Sequence, residues 1–274
     1  MRELQSRIIA EMGVRPTIDA AHEVGRRVAF LCDYVTATHT GGFVLGISGG
    51  VDSTLAGRLA QMAVDRLRQE GLEADFVAVR LPYGDQADAD DAEAAMEFVG
   101  ARTPLTLDVA AAVDGLESGF EEALQRDIAD FNKGNVKARI RMVAQYALAG
   151  ERNLLVIGTD HGAESTVGFF TKFGDGGADI LPLYGLNKRQ IRQILQHIGA
   201  SEQLWGKVPT ADLLDGHPLR TDEDELGISY DHIDDYLEGR SVPDDVAAKI
   251  ESKYLRSRHK RTTPVSILDD WWRD

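Results

Sequence analysis

Apolar positions along the chain follow two rhythms that take turns. Short unbroken runs predict buried strands: Phe43-Val44-Leu45-Gly46-Ile47, Phe76-Val77-Ala78-Val79, Leu105-Thr106-Leu107, and 153–158 with Leu154-Leu155-Val156-Ile157-Gly158 at its heart. Between and around them apolar residues recur at helical spacing. Ile8, Ile9 and Met12 form one such set and Val24, Val28, Leu31 and Val35 a second, with Pro16 separating them and Gly41-Gly42 ending the pattern. Leu55, Leu59, Met62, Ala63 and Leu67 predict a helix over 54–70, and an acidic segment predicts another over 85–99. Further helices are expected at 110–128, 135–149, 187–198 and 243–258, while glycine-rich 166–186 reads as loop.

Strands alternating with helices predict an α/β fold, a doubly wound parallel sheet covered on both faces. Helices are added at both ends, so one domain over 1–274 divides into N-terminal helices (1–40), a sheet core (41–200) and a helical C-terminal part (201–274). In such sheets ligands sit beyond the carboxyl ends of the strands. Three segments therefore carry weight: Ser48 to Ser53 after the first strand, Arg80 to Gly84 after the second, and Gly158 to Glu164 after the fourth.

Charge narrows the choice of partner. With 30 basic and 45 acidic residues among 274, the net charge is −15, which argues against nucleic acid or a membrane surface as a bulk electrostatic partner. An anionic ligand would need local cation clusters, and the sequence has them: Lys133, Lys137, Arg139 and Arg141; Lys172; Lys188, Arg189 and Arg192; and Lys253, Arg256, Arg258, His259, Lys260 and Arg261. Arg189 and Arg192 read as ordinary helix-face charges, and Asp222 to Glu225 as a solvated acidic turn. The single cysteine, Cys32, excludes an intrachain disulfide and a cysteine metal cage; it sits in an apolar helical stretch and reads as a small core residue. Charges are scattered through the first twelve residues and no uncharged apolar run reaches the roughly 18 residues of a spanning helix, so a soluble cytoplasmic enzyme or binding protein is expected.

The strongest chemical signal is Ser48-Gly49-Gly50-Val51-Asp52-Ser53-Thr54 between a strand and a helix. It is neither a Walker A loop nor a dinucleotide-binding glycine motif. Its two glycines let backbone N–H groups approach an anion closely, its hydroxyls add donors, and the helix that follows presents its positive end. Asp52 is out of place beside phosphate oxygens unless a hard cation such as Mg²⁺ lies between them. Asp160-His161 could be read as a catalytic dyad, but no activated serine or cysteine accompanies it.

The string resembles the pyrophosphate loop of N-type ATP pyrophosphatases, which cleave ATP between its α- and β-phosphates and transfer AMP to an oxygen. Val79 to Gly84, Phe131 to Arg139, Gly158 to Glu164, Phe169 to Asp179, Pro209 to Leu214, His259-Lys260-Arg261 and Asp269 to Trp272 narrow that superfamily. In this order and along nearly the whole chain they are similar to ammonia-dependent NAD synthetases; Val51 and Tyr83 stand where that family commonly has Gln and His.

The resemblance implies a Rossmann-like sheet of the adenine nucleotide alpha hydrolase type and a two-step reaction. The nicotinate carboxylate of deamido-NAD attacks the α-phosphate of ATP, pyrophosphate leaves, and ammonia then displaces AMP. It implies ATP contacts from Gly46, Ile47, Ser48, Gly49, Gly50, Val51, Asp52, Ser53, Arg80, Thr159, Lys188 and Thr210, and Mg²⁺ ligation by Asp52 and Glu164. Deamido-NAD would meet Arg139, Lys172, Asp179, His259 and Lys260, and Asp175 would steer or deprotonate ammonium. A homodimer is implied, with the N-terminal helices and C-terminal aromatics as contact surfaces. So is a nitrogen source of free ammonia or a separate glutaminase, since the chain has no spare length for an amidotransferase domain. The rivals are a tRNA-thiolating or GMP-forming enzyme with the same loop, and a nucleotide-sensing protein without turnover.

Overall fold

The computed structural model describes residues 2–84, 89–210, 216, 221–262 and 264–273. Two helices lead into the sheet, α1 (Glu3–Met12) and α2 (Ala20–Thr38). The Asp19 carboxylate accepts the His22 N–H at 2.8 Å and so starts α2 beyond Pro16. The chain then alternates: β1 (Gly42–Gly46), α3 (Val51–Gln69), β2 (Asp75–Arg80), α4 (Ala89–Val99), β3 (Thr103–Thr106), α5 (Ala110–Leu124), α6 (Asp130–Arg152) and β4 (Leu155–Val156). Among the described residues the four strands form one sheet in the order β3-β2-β1-β4, every pair parallel.

Side-chain alternation along these strands explains why both faces must be covered. Phe43 and Leu45 of β1, with Phe76 and Ala78 of β2, bury against Val28 and Leu31 of α2 and Leu55, Leu59 and Leu67 of α3. Val44, Val77, Val79 and Val156 point the other way, onto Val113 of α5 and Ala149 of α6. Each leucine or phenylalanine fully withdrawn from water here favours the fold by about 1.5–3 kcal/mol. Cys32 is buried in the first of these clusters, as expected of a core residue.

Past β4 come α7 (Gly162–Val167), α8 (Lys188–His197), α9 (Glu202–Trp205), α10 (Asp222–Leu226), α11 (Tyr230–Leu237), α12 (Asp244–Arg256) and α13 (Arg258–Arg261). The amino-terminal α1 turns away from the sheet and joins them. Its Ile8 and Met12 pack with Val167, Ile233, Tyr236, Leu237, Ile250 and Tyr254 in a separate apolar cluster. No helix among the described residues is long and apolar enough to cross a membrane.

The structure departs from the sequence reading in four places. The third strand runs over Thr103–Thr106 rather than 105–107 and is not buried, being at the sheet edge with Leu107 exposed. The loop expected over 166–186 begins two residues later, because α7 runs to Val167. The acidic stretch at 222–225 is not a solvated turn: it forms most of α10, and Asp222 is only 6% exposed. The fourth strand is shorter than 153–158, though Ile157 adds a parallel bridge to Ile180. The first four positions of the expected acidic helix, and Ala211 to Leu214, lie outside the described residues.

Candidate active site

Strand order places the site. The chain winds outward from β1 through β2 to β3 and then returns to lay β4 on the other side of β1, so the switch in direction falls between β1 and β4. A crevice opens at the carboxyl ends of two such strands. Into it project the loops joining β1 to α3 and β4 to α7, and the first turns of those two helices carry Asp52 and Glu164.

The first loop is held by its own hydroxyls. Ser53 Oγ accepts the Ser48 N–H at 3.3 Å and lies 3.1 Å from Ser48 Oγ, which accepts the Gly50 N–H at 3.3 Å. Gly49 has φ +83°, and a Cβ there would come within 2.7 Å of the Ala92 backbone nitrogen, so only glycine fits. Gly50 caps α3 without a side chain. At the end of β1 the Gly46 N–H donates to Gln145 Oε1 of α6 at 2.7 Å.

Asp52 and Glu164 meet over a buried ammonium. Lys188, at the start of α8 and 1% exposed, donates from Nζ to Asp52 Oδ2 at 2.8 Å and to Glu164 Oε1 at 3.1 Å. The same Nζ lies 4.5 Å from the ring centre of Tyr230, whose hydroxyl donates to Asp222 Oδ2 at 3.1 Å. His161 Nε2, fully buried, stands 3.5 Å from Asp52 Oδ1 and 3.4 Å from Glu164 Oε1. Burial alone would raise the Glu164 carboxyl, but His161 and Lys188 outweigh it and bring it down to about 2. Burial would lower the Lys188 ammonium, and the facing Asp52 and Glu164 raise it instead. The Glu164 carboxylate is thus held ionised. Ligand atoms of Asp52, His161 and Glu164 all lie within 4.8 Å of one another, and Asp52 Oδ1 is buried without a hydrogen bond. An oxygen-rich set with one unsatisfied carboxylate oxygen fits a hard divalent cation.

Asp52, Glu164 and Asp222 line a cleft of about 290 Å³. Its walls include Gly46, Ile47, Ser48, Gly50, Val51, Ser53, Thr159 and Thr210. Arg80 ends β2, with its Nε buried and without a hydrogen-bond partner among the described residues. A second cavity of about 240 Å³ shares the wall made by Phe169 and Asp175, and Lys260 and Lys253 line it. Lys260 Nζ donates to the carbonyls of Gly168 and Phe170, at 2.8 and 2.7 Å. Arg139 donates to the Lys172 carbonyl, and the positive charges of Lys172, Lys260 and Arg261, after burial, lower His259. Arg139, Lys172, His259 and Lys260 therefore gather at one side. Asp179 is tied elsewhere, accepting from the Val156 N–H and the Tyr146 hydroxyl. Asp175 is exposed at the shared wall yet closely ringed by protein. That burial raises its carboxyl to about 6 against the Thr171 N–H, which it accepts.

Several of the remaining cations serve the fold. Lys133 and Lys137 face the Tyr83 ring, and Arg189 pairs with Asp235 and Glu238. Sequence reasoning missed Tyr230, Asp222 and Gln145 as site residues. They stand on α11, α10 and α6, far in sequence from either loop, and only the chain's return brings them in. His161 carried a signal, its place beside Glu164, but was set aside as half of a dyad.

The chain is 59% identical over 270 residues to the NH(3)-dependent NAD(+) synthetase of Bacillus thuringiensis (strain Al Hakam), covering 98% of this chain and 99% of that one. Among solved structures it superposes on the NAD+ synthetase of Burkholderia pseudomallei with a TM-score of 0.82 at 49% identity, over 96% of this chain and 99% of that one. It also superposes on the NMN synthetase of Francisella tularensis with a TM-score of 0.80 at 33% identity, over 92% and 100%. Residues 23–264 match the NAD synthase family model, and the chain belongs to the NAD synthase family.

Proposed function

We propose that the two cavities meeting at Asp175 hold the two substrates, with ATP in the first and deamido-NAD in the second. The enzyme amidates deamido-NAD to NAD with ammonia and ATP. The observation that carries the assignment of sites is the shared wall: Asp52 and Glu164 face one cavity, Lys260 faces the other, and Asp175 borders both.

A carboxylate is a poor acyl donor, so it is first adenylated and the acyl-adenylate is then aminolysed, which releases pyrophosphate and AMP. In-line phosphoryl transfer asks for positioning and charge neutralisation rather than a protein nucleophile. The 46–53 loop holds the nucleotide through N–H groups and hydroxyls, and Arg80, Thr159 and Thr210 complete its cradle. Asp52 and Glu164 would hold Mg²⁺, which would neutralise phosphate charge there. Lys188 adds a fixed cation at the same wall. Arg139, Lys172, His259 and Lys260 hold the dinucleotide's phosphates and carboxylate, with Asp179 as a further contact. Asp175 attracts ammonium and takes up a proton as the amine attacks. We take the enzyme to be a cytoplasmic homodimer fed by free ammonia or by a separate glutaminase. Phe30 and Tyr34 of α2 and Trp272 of the tail are exposed and supply apolar contact surface.

The test is a coupled assay with ATP, Mg²⁺, deamido-NAD and ammonium. AMP and pyrophosphate should form with NAD in equal amounts, only when deamido-NAD is present, and glutamine should not replace ammonium. AMP formation that needs tRNA or XMP instead, or nucleotide binding with no pyrophosphate release, overturns the reading.

A further inference from the structure

The basic run His259-Lys260-Arg261 ends in a residue that the proposed reaction leaves without a task. Arg261 closes α13, yet its side chain is only 8% exposed, and its donors are spent on other elements. Nη1 donates to the Ser165 carbonyl of α7 at 3.0 Å and to Ser257 Oγ at 2.8 Å. Nη2 donates to the Tyr254 carbonyl of α12 at 2.8 Å. Nε donates to Glu11 Oε1 of α1 at 3.4 Å, and the Tyr254 hydroxyl donates to Glu11 Oε2. The guanidinium also stands 4.3 Å from the centre of the Tyr254 ring.

Two physical facts give this grip a purpose. A helix of four residues cannot hold its shape through its own hydrogen bonds, so α13 depends on what it is tied to. The last carbonyls of α7 lack partners inside their helix and carry its negative end, so they favour a cation. Arg261 takes the Ser165 carbonyl there, and Lys260 Nζ takes those of Gly168 and Phe170 just beyond. The segments touch: a Cβ on Gly168 would overlap Ser257 Cβ. Among the described residues, Lys260 lines the second cavity and Arg261 does not.

We infer that Arg261 is a positioning residue for the second cavity: its guanidinium pins α13 to the carboxyl end of α7 and so sets where Lys260 stands. The inference rests on the proposed binding of deamido-NAD by Lys260.

A double-mutant cycle between the two residues tests it, read as the dissociation constant of deamido-NAD from the full-length enzyme by titration calorimetry. Arg261→Met keeps the apolar stem and drops every donor. It should weaken deamido-NAD about tenfold when Lys260 is present and less than about threefold when Lys260 is already alanine. ATP, titrated in the same way, should bind within about twofold of the parent. Arg261→Lys keeps the charge without the planar fork that reaches several acceptors at once, so it should show the same pattern with a smaller loss. If Arg261→Met does not fold, the cycle is run with Arg261→Lys and judged by the same outcomes. Equal losses in both Lys260 backgrounds, or equal losses for the two substrates, would make Arg261 a support of the fold at large and overturn the inference. So would parental binding by Arg261→Met while Lys260→Ala is weakened, which leaves the reading of the second cavity standing. Parental binding by Lys260→Ala overturns that reading, and the inference falls with it.

Discussion

At the scale of single residues, the ion-paired floor of the cleft decides what substitutions do. Asp52 is exposed enough to reach ligand and is fixed by Lys188, so Asp52→Ala should remove one carboxylate without opening a cavity in the core. Turnover should fall by at least about a thousandfold, while the urea midpoint moves little. A variant that turns over at the parental rate would contradict the role. Lys260 differs, because its ammonium already holds the Gly168 and Phe170 carbonyls beside the second cavity. Lys260→Ala should raise the KM for deamido-NAD about tenfold and leave the KM for ATP within about twofold, as initial rates in each substrate would show. The 48–54 loop stood out in the sequence because a loop of this kind is contiguous: its glycines, hydroxyls and helix start must be neighbours, whereas Glu164 was named only through the family resemblance. Tyr230 and Asp222 were not legible, since nothing local marks an aromatic ring that lies under Lys188 only once α11 has folded back. Asp222 misled for a further reason. Four consecutive acids look solvated, yet one of them turns inward to take the Tyr230 hydroxyl.

At the scale of elements, the sheet was readable because parallel strands buried on both faces leave unbroken apolar runs, and the long helices because a helical period repeats several times within them. Helix α7 spans six residues, too few for a period to show, and its cap is a histidine rather than one of the usual side chains. Helix α3 shows what the pattern hides. Its Gly57 is no concession to flexibility: a Cβ there would stand 2.9 Å from Ile47 Cδ1 and 3.0 Å from Val99 Cγ2, so α3 lies against the end of β1 and against α4 with no room for a side chain. That closeness sets the depth at which α3 begins, and with it the position of Asp52. Gly57→Leu, although helically favoured by somewhat under 1 kcal/mol, should destabilise the chain by about 3 kcal/mol through overpacking. Urea unfolding would measure this, and an unchanged midpoint would show that α3 can retreat from the sheet.

At the scale of the whole molecule, a chain of net charge −15 brings several carboxyls together at one cleft, and stability carries the consequence. Burial raises Asp175, Asp222 and Asp234 each to about 6. In the unfolded chain an aspartate titrates near about 3.9. Between those two values the folded state holds protons that the unfolded state has released, so these groups favour folding at the acid end of the window, and their contribution is lost as pH rises through about 6. Glu164 acts in the opposite sense, and its contribution is lost only as pH falls toward about 2. Asp222 isolates the effect, being buried, away from the sheet, and bonded to Tyr230 through an oxygen that an amide can imitate. Asp222→Asn should therefore be more stable than the parent at pH 7 by about 2 kcal/mol, with the difference shrinking toward pH 4, where the parent is itself protonated. Urea unfolding at the two pH values would show it. Equal stabilisation at both would mean that the gain comes from packing, whereas a destabilised variant at pH 7 would mean that the Lys188 charge relies on Asp222 more than burial penalises it. The expected result instead describes a molecule that keeps a carboxylate at its cleft against the preference of its own fold, as a site for a cation-bearing polyphosphate would require.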